Sequence, residues 1–381
     1  ALASVERGPL WWSEVPCTGA VPSHRQGLAL CGAPGPQERA VLFGGNTSVR
    51  VAGGWQSSST LCMVDLPADD YGSVNFSMFE PSSPSTPWPC SRWGATLTTA
   101  SSSQDGAALL WGGWSREGDT DMPWMLRFRE AGPCWSELSC ERRPPAAAFH
   151  TGTGLPDGKR LALIGGLGNG SSRDAVWTFD SSSGQFEKLC DGGPAPAGHV
   201  AAADFEAQRL VVCFGVRRSQ PFIEDNFMKT TSVLDLRMGR WDDDAWKGDT
   251  PSAAPLARRN AAAASLGHRI IVSGGYNDEE FRSLEDTWSF NMRTGRWAQI
   301  AQQGAPRMEG HKAVASGLDI FTFGGHALLG RFPRPTVSVH RLALGKADPL
   351  QAYSAAPESR SNLKSSEKDS SSQGYPSQHH E

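Results

Sequence analysis

The stretch IIVSGGYNDEEFRSLEDTWSFNMRTGRW, from Ile270 to Trp297, decides the fold. It opens on a short apolar run that ends in the pair Gly274–Gly275, the pattern of a buried strand with a tight exit. A second apolar run, Trp288–Phe290, leads into a polar turn carrying Gly295 and then the ring of Trp297. Strand, glycine turn and a strand opening on an aromatic read as a hairpin.

Both halves recur along the chain. VLFGG ends at Gly45, ALLWGG at Gly113, LALIGG at Gly166 and IFTFGG at Gly325. A sixth copy, VVCFGV, reads as keeping Gly215 and replacing the second glycine with Val216. The period is roughly 50 to 70 residues, too long for most helical repeats. SVLDLRMGRW (Ser232–Trp241) and WTFDSSSGQF (Trp177–Phe186) align without gaps on WSFNMRTGRW, and Trp135 and Phe76 fill the same ring position beside altered turns. Ahead of each run stands a proline (Pro22, Pro89, Pro145, Pro196, Pro255 and Pro306), then a further apolar strand. Each unit is therefore strand A, strand B with its glycine pair, strand C, and strand D with its ring. Four antiparallel strands per repeat make a propeller blade. The last unit lacks a strand D, but WSEV from Trp12 matches WSEL from Trp135. The N-terminal strand is expected to complete the sixth blade, which removes two sheet edges.

These glycine pairs and rings resemble the kelch family over about nine tenths of the chain, up to Leu344. The resemblance implies an all-β, six-bladed propeller over residues 1–345. Residues 346–381 are polar and Ser-rich, with too little apolar surface to offset the entropy of ordering, and are expected to be a disordered tail.

Composition narrows the function classes. The 42 glycines and 26 prolines fit many short elements, and the 14 tryptophans fit one aromatic packing site per repeat. A formal net charge of −4 gives no reason to expect nucleic acid or an anionic membrane as a partner. No apolar run is long enough to cross a bilayer, and ALASVERGPLWW does not read as a secretory signal. The 8 cysteines show no C-x-x-C pair, so reduced thiols and a cytoplasmic protein are expected, although Asn46, Asn75 and Asn169 each open an N-x-Ser/Thr sequon.

Strand alternation puts the B–C and D–A connections on one face of the disc. Arg25, Arg92, Arg258, Arg259 and Arg307 fall in D–A segments; Trp114, Arg116, Arg217, Arg218, Tyr276, His326 and Arg331 fall in B–C segments. The A–B and C–D turns carry Asp69, Asp70, Asp105, Asp157 and Asp180 instead. A guanidinium fork can bond both oxygens of a carboxylate or phosphate, so an acidic or phosphorylated protein partner is expected on the arginine-bearing face. Kelch propellers commonly take peptides there, and the resemblance implies the same. Arginine at the start of strand A has an alternative reading, as a fold element that bonds carbonyls.

No phosphate-binding loop or nucleophile elbow is present, and no cofactor or metal site is expected. His150, His199 and His311 recur at matching positions, as repeat architecture would place them. The leading expectation is a protein-interaction module. The alternatives are a sugar-processing or isomerase-type enzyme with a small polar ligand in the channel, and a structural subunit docked through blade edges.

Overall fold

The computed structural model describes residues 10–344 except 34–37, 52–53, 69–71, 100–105, 131, 195, 218–225, 229–230, 243–253, 301, 304 and 327–336. The tail therefore lies outside the described residues, as do Arg218 and Arg331. Every regular element among the described residues is a strand.

Six sheets, each built on four antiparallel strands, succeed one another along the chain, and the first and sixth carry a fifth, parallel outer strand. Blade 1 is Ala29–Ala33, Arg39–Phe43, Leu61–Asp65 and Val74–Phe79. Blade 2 is Thr96–Thr99, Ala107–Trp111, Trp124–Arg129 and Gly132–Glu137. Blade 3 is Thr151–Gly154, Arg160–Ile164, Val176–Asp180 and Gln185–Cys190. Blade 4 is Val200–Asp204, Arg209–Cys213, Thr231–Asp235 and Arg240–Asp242. Blade 5 is Ala262–Leu266, Arg269–Ser273, Thr287–Asn291 and Arg296–Gln299. Blade 6 takes Lys312–Ser316, Asp319–Phe323 and Val339–Leu342, and the N-terminal strand Leu10–Glu14 supplies its strand D. The indole of Trp12 then donates to the Thr287 hydroxyl of blade 5 at 3.0 Å, tying the closing strand to its neighbour.

The D-strand rings share one register. Phe76, Trp135, Phe186, Trp241, Trp297 and Trp12 stand opposite Val64, Leu126, Phe179, Leu234, Phe290 and Leu342 of strand C. There is no single core. Apolar residues gather in six clusters, one in each gap between blades. This explains why B strands are apolar throughout rather than alternating: Leu42 faces the blade 6 gap while Val41 and Phe43 face blade 2. A sheet buried on both sides needs apolar side chains on both sides.

Hydrogen bonds also stitch each gap. The amides of Gly45, Gly113, Gly166, Gly215, Gly275 and Gly325 donate to Arg92, Ala147, Pro196, Arg258, Met308 and Arg25 of the next blade, at 2.8–3.0 Å. Gly215 thus sits in the second position of its pair. The first belongs to Phe214, whose φ is +63° against +61° at Gly274, and Val216 is the residue beyond the pair. The sequence alignment of this copy was one residue out. Phe214 is tolerated because blade 5 offers Ala261 at the site where blades 3, 4 and 6 put histidine, and its ring supports the Arg258 guanidinium at 5.3 Å.

Val74–Phe79 is blade 1's strand D, and Cys17–Gly19 pairs parallel to it on the outer edge. The eight cysteines are free thiols. No helix among the described residues is long and apolar enough to cross a membrane.

Candidate functional site

The D–A and B–C connections share one face. In every blade the residue after the second glycine position forms an isolated β-bridge to the D–A segment, as Trp114 does to Trp93 and Tyr276 to Arg259. Just inside this face the channel narrows to a closed ring of backbone hydrogen bonds. The amide of Gly94 donates to Gly27, Phe149 to Gly94, Gly198 to Phe149, Asn260 to Gly198, Gly310 to Asn260, and Gly27 back to Gly310, all at 2.7–2.8 Å. Each residue of the ring has a positive φ, including the non-glycines Phe149 (+60°) and Asn260 (+55°). A phenylalanine held there stores strain of about 1 kcal/mol or more. The ring frames a cavity of about 30 Å³, and the A strands on its inner side line a second one of about 130 Å³.

His150, His199 and His311 stand behind the ring, each directly after a ring residue. His150 Nε2 meets Thr96 Oγ1 at 2.8 Å and His199 Nε2 meets Thr151 Oγ1 at 2.7 Å, in both cases across a blade gap. Burial first, then positive neighbours, hold all three imidazoles neutral, with pKa values down to about 3. Lys312 lines both cavities and is the one charged residue in their lining among the described residues.

The arginines divide by environment. Arg25, Arg92 and Arg258 are almost fully buried and point away from the face. Their Nη1 atoms donate to the first-position glycine carbonyls of their own blades, Gly44, Gly112 and Gly274, at 3.0–3.2 Å. Each Nε also bonds the carbonyl two residues back. These three act as fold elements. Arg259 bonds Asp278 at 3.0 Å and Glu309 at 3.1 Å and lies 4.7 Å over the Tyr276 ring, so both residues are engaged within the protein. Arg307 pairs with Glu285 at 2.7 Å, and the His326 backbone bridges to Glu309. Arg116 and Arg217 are exposed and have no ion pair among the described residues.

Of the acids expected on the opposite face, Asp69, Asp70 and Asp105 lie outside the described residues, and the described ones are turn elements. Asp180, Asp204 and Asp235 accept backbone N–H groups two and three residues ahead, which fixes the turn that follows each strand. Asp157 does the same for Lys159 and Arg160. Their placement follows from turn chemistry, whatever binds across the disc.

An aromatic staircase leads down to the ring. Trp114, 48% exposed, stacks on Trp93 with centroids 6.0 Å apart and planes 13° from parallel. Trp93 in turn meets Phe149 edge-on at 5.1 Å. Sequence reasoning found Trp114 and missed Trp93 and Phe149. The signal was a bulky ring at a position where four other blades carry glycine. Among the described residues no three His, Cys, Asp or Glu side chains gather as a metal site would require.

A family model, the KLHDC2/KLHL20/DRC7 Kelch-repeats domain, matches residues 99–325. Kelch domain-containing protein 2 of Bos taurus is 35% identical over 103 residues, 24% of this chain and 25% of that protein. Kelch domain-containing protein 3 of Bos taurus is 28% identical over 210 residues, 52% of each chain. Adagio-like protein 3 of Oryza sativa subsp. japonica is 25% identical over 194 residues, 49% of this chain and 29% of that one. The chain thus spans about a quarter of the first relative's length and about half of the second's. Repeat, blade register and family match agree: the chain belongs to the kelch-repeat propeller family.

Proposed function

We propose that this propeller is a protein-interaction module that receives a partner's peptide segment on the face of the D–A and B–C connections. Kelch-repeat proteins generally bind proteins. The observation that carries the choice of face is the Trp114–Trp93–Phe149 staircase. Water-facing stacked indoles at the mouth of a channel offer a flat apolar anchor, and tryptophan is enriched among residues that dominate binding energy. Phe149 supports the same reading, because at a positive-φ position that four other blades give to glycine this blade keeps a ring against Trp93. Arg116 and Arg217, exposed and without an ion pair among the described residues, add positive charge on this face, which suits an acidic or phosphorylated residue in the partner.

The test is capture of partners by the full chain and by a Trp114→Ala/Arg116→Glu variant, with circular dichroism to check the fold of both. Loss of the same bound proteins from a folded variant supports the reading. Equal capture by both removes this face from consideration and makes the blade edges the leading site.

A further inference from the structure

We propose that the central channel is a binding site for a small free oxyanion, of phosphate size, held by Lys312. The argument begins with the repeat. Lys312 opens the A strand of blade 6, and the residues at that position in blades 1 to 5 are Ala29, Thr96, Thr151, Val200 and Ala262. One blade alone puts a charge into a tier that is otherwise small and neutral, so the repeat itself does not require it.

The surroundings supply no counter-charge. Among the described residues no Asp or Glu lines the two cavities, and the Lys312 side chain has no hydrogen bond or ion pair. Lys312 is partly rather than fully buried, so its ammonium loses part of its water, and an anionic partner in the channel would compensate for that loss. Burial alone lowers its pKa, with no carboxylate opposing it. Its field still reaches His150 and His199, where it adds to the suppression of their protonation. An anion beside the ammonium would relieve all of these at once.

The space suits such a ligand. The cavity of about 130 Å³ exceeds a single water several-fold, and it exists because Gly152, Ala201, Ala263 and Ala313 take up little room. Where the imidazole Nε2 donates to its threonine, the Thr96 and Thr151 hydroxyl hydrogens are left to donate to an oxyanion without adding charge. The larger cavity shares no residue with the Trp114–Trp93–Phe149 staircase, so an anion held there stands or falls independently of the peptide site.

The experiment is isothermal titration of the full chain with inorganic phosphate at fixed ionic strength, with chloride and acetate as further arms. Saturable uptake of one phosphate per chain is expected, weakened at least about tenfold in Lys312→Met, since charge-assisted hydrogen bonds carry that much. Lys312→Ala repeats the residue of blade 1 and provides a second folded variant. Tighter acetate than phosphate binding would identify a carboxylate metabolite as the natural source of the same chemistry. No uptake of any of the anions by the unaltered chain overturns the proposal, as does equal uptake by either variant.

Discussion

Arg258 grips Asp286 with both arms of its fork, Nη1 to Oδ1 at 2.6 Å and Nη2 to Oδ2 at 2.9 Å, while Nη1 also holds the Gly274 carbonyl at 3.0 Å. One guanidinium thus joins the D–A segment, the glycine pair and the start of strand C. Arg25 and Arg92 do the same for blades 1 and 2, but with the hydroxyls of Ser58 and Thr120 where blade 5 has a carboxylate.

That difference predicts unequal costs. Arg258→Met leaves the partly buried Asp286 carboxylate with, among the described residues, only the Trp288 indole as a close side-chain donor, and should cost about 2–3 kcal/mol. Arg92→Met abandons no opposite charge and removes a cation that burial already disfavours, so it should cost markedly less. Urea unfolding of both variants measures this; equal costs would mean that the carboxylate adds nothing.

Asp286 also sets an acid limit. Burial would raise its pKa, but hydrogen bonds and charge from Arg258 hold it below the usual carboxylate range. A depressed carboxylate stabilises the fold above its unfolded pKa of about 3.9, and that contribution is lost as pH falls through the folded value. The histidines act higher. With folded pKa values down to about 3 against about 6.5 unfolded, the unfolded chain binds more protons between those limits, so stability falls with pH there. His311 is the cleanest probe, because blade 5 has Ala262 where blades 2 and 3 offer a threonine to the ring. Its neighbours His340 and Lys312 disfavour the proton and the Ser273 carbonyl favours it. His311→Leu, the residue blade 1 carries as Leu28, should reduce the pH slope of stability between pH 6 and 4 by about 1.4 kcal/mol per unit. Unfolding midpoints at several pH values test this, and an unchanged slope would mean that His311 protonates in the folded state.

The architecture was legible because its signals are local and repeated. Each glycine pair marks a blade, and Trp12 declared itself by matching Trp135. Only the degenerate copy misled, since Phe214 occupies a position where glycine is usual and adjacent Gly215 invited a shift of one residue. The face was harder. Arg25, Arg92 and Arg258 look like binding residues in composition, yet they stand in fixed register with the glycine pairs, which is how a fold element behaves. Arg259 and Arg307 were neutralised by Asp278, Glu309 and Glu285, partners that only the folded arrangement brings near. Lys312 went unnoticed because its oddity appears only when the six A strands are superposed.

The neck ring should be sensitive to a single methyl group. At Gly198 φ is +64°, and a Cβ would lie 2.5 Å from Asn260 Oδ1 in the next blade. Gly198→Ala should cost about 1–3 kcal/mol through backbone strain together with the opened gap. Gly184 has a similar φ of +70° in an open turn, with nothing within 4 Å of its Cβ position, and provides the control. Gly184→Ala should show the strain alone, about 1 kcal/mol. If thermal unfolding shows the two variants equally destabilised, closure of the ring contributes nothing.

Phe149 separates binding from stability. Glycine at this position is what blades 1, 2, 4 and 6 use, so Phe149→Gly relieves a positive φ while losing the edge contact to Trp93. The two effects oppose each other, each about 1 kcal/mol, so the melting temperature should move little. Partner capture should nevertheless fall, because the staircase would lose its inner step and Trp93 would lose the ring that orients it. A variant that keeps both its melting temperature and its partners would show that the strained ring serves neither. A variant that unfolds would show that Phe149 is held for packing alone.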